Sequence, residues 1–79
     1  MVKVVERGRF RVYVYSEQGQ RHHRPHCHVY WDGTSSVVGL VDYAVLRGAP
    51  LPRRARQLVE DHFHDLWRVW SDLNEERDE

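Results

Sequence analysis

Four of the six histidines, His22, His23, His26 and His28, fall within seven consecutive positions. Imidazole changes charge near neutral pH, moves protons and ligates transition metals. One residue separates His26 from His28, and on a β-strand that spacing puts both rings on one face, about 6–7 Å apart. Two such rings can share a metal ion, or one can serve as general acid and base on a phosphodiester. Glu17 ends the preceding β stretch and falls beside Pro25 and His26 if the two stretches form a hairpin. His22, on the loop four residues before His26, offers a third imidazole. Glu17, His22, His26 and His28 thus make a candidate set for zinc, nickel, iron(II) or manganese, with coordination positions left open. The competing reading is a polar recognition surface without metal, because an H-x-H pair on its own is a weak motif. Cys27 has the opposite parity and reads as a small core residue. His62 falls on an apolar helical stripe and reads as core, and His64 as solvent-facing.

Arginine supplies the second candidate chemistry. Eleven of the twelve basic side chains are arginine, which grips carboxylate and phosphate as a planar fork. Residues 1–58 carry ten basic and four acidic side chains, whereas residues 59–79 carry two basic and eight acidic, so a net charge of zero hides a segregated chain. Arg53, Arg54 and Arg56 crowd the expected start of a helix, where the macrodipole favours acids. That makes an anion or phosphate site, with local pairing of Arg56 to Glu60 as the plain alternative. Arg9 and Arg11 interleave with Tyr13, Tyr15 and Tyr30 on one expected sheet face. Such a face suits RNA or another single strand, whose bases stack on aromatic rings, and equally a protein interface.

The elements that must position these groups follow from periodicity. Residues 2–6 read as a short strand. Over 9–16, Phe10, Val12 and Val14 alternate with Arg9, Arg11, Tyr13 and Tyr15, the period of a strand buried on one side. Residues 16–25 are polar and form a loop. Over 26–32, Cys27, Val29 and Trp31 alternate with His26, His28 and Tyr30. Asp32-Gly33 is a strong hairpin turn, and 35–42 is the returning strand, followed by a loop at 47–50. From Leu51-Pro52 onward, Ala55, Leu58, Val59, His62, Phe63, Leu66, Trp70 and Leu73 recur at three- and four-residue intervals, predicting one helix over about 52–75 and a frayed acidic tail. The expected fold is α+β: an antiparallel sheet of three to four strands with one long C-terminal helix on one face. The apolar set belongs under the helix, so His26 and His28 should look outward, away from it.

Length and composition narrow the classes. Seventy-nine residues hold a single small domain and exclude a Rossmann fold or a large barrel. At 41% hydrophobic and 30% charged, the chain is too apolar for disorder. A lone cysteine forms no internal disulfide, and no run approaches the ~20 apolar residues of a membrane span. A cytoplasmic protein is expected.

The run from Gly8 to Arg11, Tyr15-Ser16 with Glu17, Pro25-His26-Cys27-His28-Val29, and a helix carrying Leu66-Trp67 and Trp70 together resemble the small bacterial proteins of Domain of Unknown Function family 4160. The family signature is P-P-H-[FV]-H-V, with Arg24 here at the first proline and Cys27 at the apolar position. The resemblance implies a single-domain cytoplasmic protein, often encoded beside another small protein and so a component of a toxin–antitoxin-like pair. By position it carries the paired histidines to His26 and His28 and the strand-end acid to Glu17, and some members have a histidine where His22 stands. Three functions stay open. The first is binding of a small neighbour-encoded protein, with RNA, DNA or a second copy of the chain as further partners. The second is a metal-dependent hydrolase or nuclease using Glu17, His26 and His28. The third is metal-free action on RNA with His26 or His28 as acid/base.

Overall fold

The computed structural model describes residues 2–16 and 24–74. Five strands, β1 (Val2–Arg7), β2 (Phe10–Val14), β3 (His26–Trp31), β4 (Thr34–Gly39) and β5 (Val45–Gly48), precede two helices, α1 (Arg53–Asp61) and α2 (Phe63–Asn74). The fold is α+β. Every strand pairs antiparallel with its neighbours in sequence, giving the sheet order β1-β2-β3-β4-β5.

Alternation decides which face is covered. Phe10, Val12, Val14, Cys27, Val29 and Trp31 are all buried, and the helices lay Ala55, Leu58, Val59, Leu66 and Trp70 over them. Val38 and Leu40 complete the core from β4 and the residue after it. Each buried aliphatic side chain here is worth roughly 1.5–3 kcal/mol of transfer free energy. The Asp32-Gly33 turn has positive φ at both residues, 46° and 77°, as a type I′ hairpin requires. Trp31 pairs with Thr34 directly before and after it.

The sheet has one strand more than expected. Val45–Gly48 is a four-residue edge strand, exposed throughout, and Arg47 pairs with Val37. With no buried face it shows no alternation, which is why its second half reads as loop from sequence. Gly48 lies so close to the Ser35 backbone, at φ +98°, that a Cβ there would collide with it.

The single expected helix is two, broken at His62 (φ −113°, ψ 25°). Its N–H is shared between the Leu58 and Val59 carbonyls, 3.2 Å from each, and its ring Nδ1 donates to Leu58 O at 3.1 Å. A side chain that enters the carbonyl ladder is a recognised cause of a kink. The apolar stripe nevertheless continues through it, because Leu66 N–H picks up His62 O at 2.9 Å. Pro52 caps α1 from just outside.

Candidate functional site: an aromatic and imidazole sheet face

The face of the sheet turned away from the helices is built by the register. Tyr13 pairs with His28, His28 with Val37 and Val37 with Arg47, so these four side chains form one row across β2 to β5. Arg11, Tyr30 and Ser35 form the next row. Along β3, His26 and His28 ring centroids lie 5.2 Å apart, edge to face, and His28 and Tyr30 are near-parallel at 6.5 Å. Tyr15, one residue beyond β2, approaches His28 at 4.4 Å, while Tyr13 meets Tyr30 at 5.5 Å and Tyr15 at 6.4 Å. Five rings therefore form a contiguous half-buried surface in which each ring supports another.

Polar atoms fix several of these rings. The Tyr15 and Tyr30 hydroxyls hydrogen-bond at 2.7 Å, and that bond, followed by burial, pushes the Tyr15 phenol up to about 12. His26 Nδ1 lies 2.8 Å from Arg24 O. A carbonyl has no proton to give, so Nδ1 carries the hydrogen and the lone pair of the neutral ring sits on Nε2.

Both imidazoles were expected to face open solvent, and here the structure departs from expectation. The His26 ring rests 4.9 Å from Trp70 of α2, and His26 and His28 are both half-buried. The end of α2 reaches past the strand ends, where Asn74 Nδ2 donates to Tyr15 O and to Trp70 O, each at 3.2 Å. The helix layer thereby buttresses one edge of the face. Trp70 and Asn74 are the residues that sequence parity missed: Trp70 reads as core, and its reach to a strand of opposite parity depends on where α2 ends. Arg47 was missed too, because its strand is exposed.

The structure separates other candidates. Arg11 stays on the open face, but Arg9 sits in the β1–β2 turn, pairs with Asp32 at 3.3 Å and lies 5.0 Å over the Phe10 ring. Arg56 pairs with Glu60 at 2.9 Å and approaches the Tyr43 ring, away from Arg53 and Arg54. Glu17 and His22 lie outside the described residues. Among the described residues no three His, Cys, Asp or Glu side chains gather as a metal-holding group. Cys27 is buried on the opposite side, and burial pushes its thiol up to about 12, so it is no thiolate ligand near neutrality. Of the four candidate metal ligands, His26 and His28 lie among the described residues, and both are half-buried. No helix among the described residues is long and apolar enough to cross a membrane.

A family model described as "Domain of unknown function (DUF4160)" matches residues 10–71. The chain belongs to this family. The match runs from the start of β2 into α2 and so includes Tyr13, Tyr15, His26, His28, Tyr30, Arg47 and Trp70. No curated protein and no solved structure matches the chain significantly.

Proposed function

We propose that this DUF4160 protein is a cytoplasmic binding component of a toxin–antitoxin-like pair, and that its ring-bearing sheet face binds a nucleic-acid single strand. The observation that carries the reading is the contiguous, half-buried surface of Tyr13, Tyr15, His26, His28 and Tyr30, which α2 touches at its His26 edge through Trp70. Base stacking on an aromatic platform contributes about 1–3 kcal/mol per base and tolerates any sequence. Arg11 and Arg47 flank the rings, and neither forms an ion pair among the described residues, so both guanidiniums are available to phosphates. The neighbour-encoded protein of such a pair would compete for the same face.

The test is fluorescence anisotropy of a labelled single-stranded RNA across a salt series. Two phosphate contacts give a log–log slope of about −1.4 for a single strand. Replacing Tyr13→Ala and Tyr30→Ala together should weaken binding at least tenfold while Arg68→Ala leaves it unchanged. Binding indifferent to the tyrosines contradicts the proposal.

The Arg24 carbonyl that pins His26 Nδ1–H favours a second reading, in which the Nε2 lone pair serves as general base on RNA without metal. RNA cleavage that persists in the presence of a metal chelator and vanishes in His26→Ala would support it, and cleavage unaffected by that change would contradict it.

A further inference from the structure

The opposite end of the sheet holds an open groove of about 660 Å³ between the β1–β2 turn and the start of α1. Four arginines line it, Arg7 from the end of β1, Arg9 from the turn and Arg53 and Arg54 from the helix, over a floor that includes Phe10 and Leu58. No acidic residue belongs to the lining. Arg9 and Arg7 have carboxylates nearby, Asp32 at 3.3 Å and Asp61 at 3.9 Å, but both pairs are exposed and so weak. Arg53 and Arg54 form no ion pair among the described residues. The first turn of α1 contains no acid, and Pro52 offers no side-chain oxygen to its N–H groups.

Four arginines share this groove and only Arg7 and Arg9 have a carboxylate nearby, so its positive charge is only partly balanced, and folding alone gives no reason to gather it there. An anion placed among them completes the balance, and guanidinium forks match the oxygens of a phosphate. The volume exceeds what a bare phosphate fills and falls within the range of small-molecule pockets. The apolar floor asks for a compact body attached to the anion. We propose that this groove binds a phosphate monoester carried on a planar or apolar body, of the nucleoside monophosphate class. The site shares no residue with the ring face and stands or falls independently of it.

The experiment is a chemical-shift titration of the full chain at low salt with AMP, adenosine, inorganic phosphate and a short polyglutamate peptide. AMP should bind with a dissociation constant below about 1 mM, shifting Gly8, Phe10 and Gln57, while adenosine moves nothing there and phosphate binds at least several-fold more weakly than AMP. R53E with R54E should reduce AMP affinity at least tenfold and leave the Tyr15 and Tyr30 signals in place. If that charge reversal perturbs folding, R53Q with R54Q should still reduce it several-fold. A 5′-phosphorylated dinucleotide binding better than its 5′-hydroxyl form would identify strand ends as the source, and equal binding of the dinucleotides, both weaker than AMP, would identify free nucleotides. No AMP binding, AMP shifts confined to His26 and Tyr30, or tighter binding of polyglutamate than of AMP would overturn the proposal.

Discussion

At the Trp70 end of the sheet, rings are held by rings: His26 lies against Trp70, His28 against Tyr15, and the Tyr15 and Tyr30 hydroxyls against each other. At the Gly8 end, Arg7, Arg9, Arg53 and Arg54 stand around a groove, tied to the fold by two exposed ion pairs and by the contact of Arg9 with the Phe10 ring. The first region is integrated with the fold, because the same contacts that arrange it also anchor α2 through Asn74 and Trp70. The second is attached to the fold through backbone and aliphatic stems, and its charged tips contribute little to folding. A surface can thus be pre-organised by being part of the core's margin, or left ready by electrostatic frustration, and the two kinds respond differently to substitution.

The largest difference should appear with Trp70→Ala. Removing a nearly buried indole costs about 3–5 kcal/mol in urea unfolding and should also displace the His26 ring signals. If stability falls but His26 is unmoved, the buttress role fails. Asn74→Ala comes next, at about 1–2 kcal/mol, because a buried side chain that satisfies two carbonyls is lost. Tyr15→Phe should cost about 0.5–1.5 kcal/mol for one hydrogen bond. It should also change the alkaline limb. Tyr15 and Cys27 both hold their protons more tightly when folded, up to about 12 from ordinary values of 10.0 and 9.0. The unfolded chain therefore loses protons first, and stability declines as pH rises from about 9 to 12. The Phe variant should retain the earlier, thiol-driven decline and lose much of the part above pH 10, read by urea midpoints at pH 8.5, 10 and 11.5. The smallest effect belongs to the other end: Arg53→Ala with Arg54→Ala should change stability by no more than about 0.5 kcal/mol, toward stabilisation at low salt. A loss of several kcal/mol there would mean that the guanidiniums are structural.

The parts of this architecture that repeat with a period were legible in the sequence. Phe10, Val12 and Val14 alternate, as do Cys27, Val29 and Trp31, because each strand has one dry face, and Asp32-Gly33 marks a turn that needs two positive φ angles. β5 was illegible because an exposed edge strand imposes no pattern on Val45–Gly48. The break at His62 was hidden because the stripe of apolar residues passes through it, and only the ring's bond to Leu58 O reveals the competition. Parity grouped Arg9 with Arg11, yet strand parity ends where the chain turns, and Gly8 at φ +60° puts Arg9 in the turn. The contact of His26 with Trp70 joins residues 44 apart, which no local pattern encodes.

The most direct test of the central claim is chemical-shift mapping of the protein with a short single-stranded RNA. A ligand-binding ring face predicts one contiguous set of shifts at Tyr13, His26, His28, Tyr30 and Arg47, reversed by added salt. Shifts restricted to the outer surfaces of α1 and α2, with the tyrosine and histidine rings silent, would contradict it.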